Sequence, residues 1–184
     1  MADAVMTEAA YLLARDRGTA VYLAAFGQLH GVGEEPRRAQ EAGMVRVEVK
    51  GVRVQREKAE EARVHLAPED RTFMMLREAD GNGVLEVEIG QAEAFAIGSA
   101  LEGQKWARPM THELLAQTLA ALGATLQQVT IVDFRDNIYL AEMDLMDRSG
   151  DAVVVTARPA DAVAVALQTG APIFVSEALL AEVA

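Results

Sequence analysis

The sequence predicts an α+β fold, with mostly antiparallel strands in hairpins and helices interleaved between them. Three observations predict it. Strand-like runs occur in pairs either side of tight-turn residues, at Asp80-Gly81-Asn82-Gly83 and again at Arg135-Asp136. Helical segments fall between these pairs rather than after every strand, so the regular βαβ alternation of a doubly wound sheet is absent. At 184 residues and 51% hydrophobic content, the chain can bury one good core.

Residues 4–29 carry Tyr11, Leu12, Tyr22, Leu23 and Phe26 at loosely helical spacing around Gly18, which predicts two short helices. HGVGEEPRRAQEAG at 30–43 is polar and rich in Gly and charge, the composition of a linker. Residues 1–43 therefore read as a helical N-terminal extension and linker, and 44–184 as the domain. Met44, where regular alternation begins, is itself a candidate start. The run MVRVEVKGVRV places valines at 45, 47, 49, 52 and 54, and the change of phase across Gly51 predicts a bulge.

A charged excursion follows, then two strands flank Asp80-Gly81-Asn82-Gly83. Helices are expected at about 91–102 and 110–122, the second capped by Gly123. Residues 126–134 and 137–145 form the hairpin over Arg135-Asp136, and 151–156 a further strand. From Ala162 to Leu167 there is only Ala, Val and Leu, so the helix holding this run is expected to be buried nearly all round. Gly170 stops it, Pro172 prevents continuation, and Ile173-Phe174-Val175 reads as a short strand before a C-terminal helix.

Composition narrows the chemistry. Cysteine is absent and histidine numbers three, which excludes disulfides, thiolate metal sites and cysteine nucleophiles. With no bilayer-length apolar run and no basic leader before an apolar segment, the expectation is a soluble, cytoplasmic protein with no membrane partner. The net charge of −11 is uneven: Lys+Arg against Asp+Glu is 4 to 6 over residues 1–43, 8 to 8 over 44–84, and 5 to 14 over 85–184. The last hundred residues thus repel phosphate backbones unless a cation intervenes or a local basic strip overrides the field. One Trp and few aromatics also predict no stacking platform for single strands.

One local echo points to a site. ARPMTHELLAQTLAALGA at 107–124 and ARPADAVAVALQTGA at 157–171 both begin Ala-Arg-Pro, run into an apolar helix and stop at Gly-Ala. Proline is tolerated in a first helical turn, whose N–H groups have no intrahelical partner. Arg108 and Arg158 therefore stand where free amide donors and a guanidinium can hold a phosphate together, or each pairs with a surface carboxylate. Asp161, three residues after Arg158, is sited to pair with it or to accept backbone N–H bonds, and we expect it to order Arg158 toward a cleft.

Those segments, together with VEIGQAEAFAI and VTIVDFRDNIYLAEMDL, resemble in order and spacing the bifunctional nuclease (BFN) domain family of bacteria and plants. The resemblance covers about residues 44–184 and implies the family's α+β fold and, because members are described as degrading DNA and RNA, a nuclease. The family usually has Ser between the Pro and Asp of the last motif. This chain has Ala160, so a hydroxyl role there is missing.

Phosphodiester hydrolysis needs an activated water, charge stabilisation at phosphorus and help for the leaving oxygen. Glu93, early in its helix, offers a metal ligand or a base, or else a partner for the helix dipole. His112 and Glu113 lie in the first turn of the next helix, with Thr111 as the expected N-cap. The positive helix end favours a neutral His112 that can accept a proton or bind a metal.

The first reading is a divalent-metal-assisted nuclease. Glu93, Glu113 and Asp161 hold Mg²⁺ or Mn²⁺, His112, Glu93 and Asp161 are catalytic, and Arg108 and Arg158 grip nucleic acid. The alternatives are a non-enzymatic regulatory or scaffold domain binding a small anion or a protein partner at the same helix ends, and a module for homodimers or higher homo-oligomers. Glu48 and Lys50 form a Glu-x-Lys of the kind seen in metal-dependent nucleases, but no companion aspartate motif precedes them.

Overall fold

The computed structural model describes residues 43–56 and 70–181. Along the chain these form β1 (Met44–Gln55), β2 (Arg71–Glu78), β3 (Val84–Ile89), α1 (Gln91–Leu101), α2 (Thr111–Ala121), β4 (Thr125–Arg135), β5 (Ile138–Met146), β6 (Ala152–Ala157), α3 (Pro159–Thr169), β7 (Ile173–Ser176) and α4 (Glu177–Ala181). The expected helices over 4–29 and nearly all of the linker lie outside the described residues. Every described residue falls in one compact unit, Pro36–Ala184.

The strands make one mixed sheet in the order β3-β2-β1-β7-β4-β5-β6. Only β4 and β7 run parallel; the other neighbours are antiparallel, as an α+β fold built from hairpins requires. The bulge expected at Gly51 is present, with the β1–β2 register shifting between Val49 and Gly51. The β4–β5 turn sits one residue later than expected, at Asp136 and Asn137, whose φ values are 50° and 67°. Two successive left-handed residues are what a two-residue hairpin turn needs, and Asp and Asn tolerate that region better than Arg does.

Alternation fills the core. In β2, Thr72, Met74 and Leu76 point inward, with Leu85, Val87 and Ile89 of β3 beside them. Helix α3 is buried almost entirely, from Pro159 through Val165 and Ala166, with Asp161 as the one half-buried break. It ends where Gly170 turns left-handed at φ 76°, a conformation open to glycine without steric penalty. By contrast α2 buries no residue fully: Ala116 and Leu119 pack on the core while Leu114, Leu115 and Leu122 are exposed. Its C-cap is Leu122, with Gly123 following at φ 79°. No helix among the described residues is long and apolar enough to cross a membrane.

The two outermost strands must approach each other. In a flat sheet β3 and β6 would be six steps of about 4.8 Å, roughly 29 Å, apart. Yet Arg158, directly after β6, contacts Glu93, four residues after β3, at 2.6 Å. The sheet therefore twists and curls until the ends of its outer strands meet, bringing the starts of α1 and α3 together.

Candidate functional site

The site is built on those two helix starts. Gly90 is the N-cap of α1 and Arg158 the N-cap of α3, both in extended backbone, and Pro159 opens α3 as expected. Arg158 Nε donates to Asp161 Oδ2 at 2.6 Å, and Nη2 donates to Glu93 Oε1 at 2.6 Å and to Asp161 Oδ1 at 3.1 Å. On its other side Asp161 Oδ1 lies 3.0 Å from His112 Nε2. Four of the six candidate site residues are thus in one chain of contacts, Glu93–Arg158–Asp161–His112.

Burial grades along that chain. The Arg158 side chain is 56% exposed, whereas Glu93, Asp161 and His112 are 13%, 23% and 12% exposed. Burial pushes the Asp161 carboxyl up, but hydrogen bonds from His112 and Arg158 and their charges outweigh it and hold the group below the usual carboxylate value. An ionised Asp161 can only accept, so His112 Nε2 carries the proton between them, and a neutral ring keeps its lone pair on Nδ1. The bonds to Asp161 likewise push the Arg158 guanidinium up despite partial burial.

Arg158 and Glu93 line a cleft of about 370 Å³, floored by Gly90, Pro159 and Ala160 and walled by residues of β2, β3 and the β4–β5 hairpin. Arg158 Nη1 makes no bond to any described residue, and neither does Glu93 Oε2. Glu93 Oε2 lies back against Gly90, where an added Cβ would stand 2.3 Å from it, so a larger residue there would displace the carboxylate. Gly90, Pro159 and Ala160 carry no side-chain hydroxyl or charge into the cleft.

Two expected members are placed elsewhere. Arg108 is exposed in the segment before α2 and has no ion-pair partner among the described residues. Glu113 accepts the Met110 N–H at 2.9 Å, so it caps its own helix, and it lines a different hollow beside Trp106 and Gln117. The N-cap is Met110, with Thr111 as the first helical residue, a correction of one position. Glu48 and Lys50 of the Glu-x-Lys pair with each other on the exposed face of β1.

The donor set expected for Mg²⁺ or Mn²⁺ does not fit this arrangement. Glu93 and Asp161 share a guanidinium where a divalent ion would sit, and Glu113 is turned to its own helix. Among the described residues no group of three or more His, Asp or Glu is disposed to hold a metal ion. Three of the nine Phe, Tyr and Trp residues, Phe73, Phe134 and Tyr139, line this one cleft. They stand on three different strands, so no local pattern marks them as neighbours; only Phe134 and Tyr139 flank a common turn.

Comparison with known proteins agrees with the resemblance. The family described as "Bifunctional nuclease domain" matches residues 74–184, from within β2 to the end of the chain. Two relatives from Mycobacterium tuberculosis, each described as an uncharacterized protein, are 40% identical over 139 residues, which is 76% of this chain and 76% of theirs.

Proposed function

This chain belongs to the bifunctional nuclease domain family, and we propose that it hydrolyses phosphodiester bonds of DNA or RNA at the Arg158 cleft. The observation that carries the reading is the unbonded Nη1 of Arg158, held at the cleft by two carboxylates from two helix starts. A guanidinium so anchored loses little freedom when it grips a phosphate oxygen, and its charge stabilises the transition state. Glu93, whose Oε2 is unbonded, is the base. A water oxygen bonds to phosphorus as the ester P–O bond breaks, one water proton passes to Glu93, and the leaving alkoxide is protonated by solvent. His112 lies behind Asp161 and positions it, so its part is to fix Arg158.

The test is cleavage of labelled single-stranded DNA and RNA by highly purified protein, with and without EDTA, beside Arg158→Ala and Glu93→Gln. Activity that persists in EDTA and falls at least tenfold in both variants supports the reading; full activity in both traces cleavage to a contaminant. Loss in EDTA would show that Arg158 gives way to a divalent ion. A second reading, a non-enzymatic module binding a small anion at the same cleft, is favoured by the engagement of Asp161 with both Arg158 and His112 and of Glu93 with Arg158. A folded protein that binds without cleaving would select it.

A further inference from the structure

The cleft beside Arg158 has walls that hydrolysis does not use. Across β1, β2 and β3 the register sets Arg53, Phe73 and Glu88 in one row. The Arg53 guanidinium lies 4.5 Å from the Phe73 ring centroid and that of Arg71 lies 5.1 Å from it. Each is held there by a two-point contact, Arg53 with Glu86 and Arg71 with Glu88. At the hairpin tip Phe134 and Tyr139 are direct cross-strand partners with ring centroids 4.3 Å apart, and Phe134 is 37% exposed.

We propose that this cleft is a nucleobase subsite: it takes one unpaired base of a single-stranded nucleic acid, stacked on Phe134, while the adjoining phosphate lies at Arg158. This deepens the phosphodiesterase reading and rests on its substrate class. Arg53 and Arg71 cover the Phe73 ring, so the exposed aromatic surface of the cleft is that of Phe134; such a flat π-face suits a planar ring, and proteins that read single strands stack bases on it. A cleft of about 370 Å³ is at the small end of ligand pockets, the scale of one base with its sugar, not of a duplex. A base inside a duplex would have to be unpaired and swung out to reach Phe134, so single strands are preferred.

Charge permits this despite the total of −11. The three carboxylates that line the cleft, Glu86, Glu88 and Glu93, are each in contact with an arginine, Arg53, Arg71 or Arg158, and Asp161 behind Arg158 adds one negative charge to those three pairs. Charges beyond about 8–10 Å are largely screened at physiological salt, so the acidic remainder of the surface acts weakly here.

Equilibrium binding decides the matter, read by fluorescence anisotropy of the full chain. Three probes of equal length are used: a labelled oligothymidylate, a phosphodiester chain of abasic spacers, and the duplex. The oligothymidylate binds more tightly than either other probe. Phe134→Ala weakens it between about fivefold and about a hundredfold, the range for losing one stacked base, and leaves abasic binding unchanged. Phe134→Trp restores the preference. Equal affinity of wild-type protein for base-bearing and abasic chains, no binding to any probe, or a Phe134→Ala variant with undiminished affinity would each overturn the proposal. Because cleavage is not the readout, a protein that stacks bases without hydrolysing them sinks the nuclease reading alone.

Discussion

Removing the Arg158 guanidinium while keeping its stem, as in Arg158→Met, leaves Glu93 and Asp161 facing each other without their shared cation. Charge-assisted hydrogen bonds contribute about 1.5–3 kcal/mol each when shielded, and exposed ion pairs only about 0.2–1 kcal/mol. Here the arginine is 56% exposed while the carboxylates are 13% and 23% exposed. The cluster therefore lies between the limits, and solvent screening lowers the shielded figure to about 2 kcal/mol for the whole bridge. In urea the transition midpoint should fall with an unchanged slope, and the melting temperature should drop by about 4–8 °C for a chain of this size. Adding Glu93→Gln should return about 1 kcal/mol, because the repulsion between the two carboxylates disappears. An Arg158→Met protein within about 0.5 kcal/mol of wild type, with no coupling to Glu93→Gln, would refute the bridge as the link between the two helix starts.

Other outcomes follow from the same geometry. Asp161 titrates below its unfolded value of 3.8, so its contribution to stability is present above that pH and is lost as pH falls through the lower folded value; Asp161→Asn should flatten this part of the acid-unfolding curve, and an unchanged acid limb would contradict the assignment. Ile97→Ala empties a fully buried position on α1 and should destabilise by about 2–5 kcal/mol in chemical denaturation, with a value below 1 ruling out a packed core there. Gly123→Ala should be destabilising by about 1–2 kcal/mol, because φ is 79° and the new methyl carbon would lie 3.2 Å from the Arg148 side chain; a neutral effect would mean that the turn adopts another conformation. Residues 44–184 expressed alone should unfold cooperatively, and a large loss of melting temperature would show that 1–43 belong to the domain.

Much of the fold is legible because its signals are local. Valine alternation sets β1, Asp80-Gly81-Asn82-Gly83 sets the β2–β3 turn, and Gly170 with Pro172 ends α3 before β7. Each depends on backbone preferences of a few neighbouring residues, which the order of residues alone specifies. Arg158 and Asp161 are legible for the same reason, being three apart at one helix start. The misses are also physical. Ala-Arg-Pro recurs before α2 and α3, but only the Arg158 copy adjoins the cleft, so Arg108 and Arg158 are alike in sequence and not in surroundings. Glu113 carries a carboxylate suited to a metal, yet the free Met110 N–H three residues earlier captures it.

By itself the sequence determined the elements, the bulge at Gly51, the burial of α3 and the pairing of Arg158 with Asp161. Tertiary structure alone decided that β7 enters between β1 and β4, that the sheet curls until Glu93 meets Arg158 across 65 residues, and that His112 meets Asp161 across 49. It also decided that Phe73, Phe134 and Tyr139 share one cleft. The reason is that periodicity encodes which face of an element is apolar, whereas strand order and twist arise from how all those faces are buried together, and a site made of residues from several elements exists only after that burial.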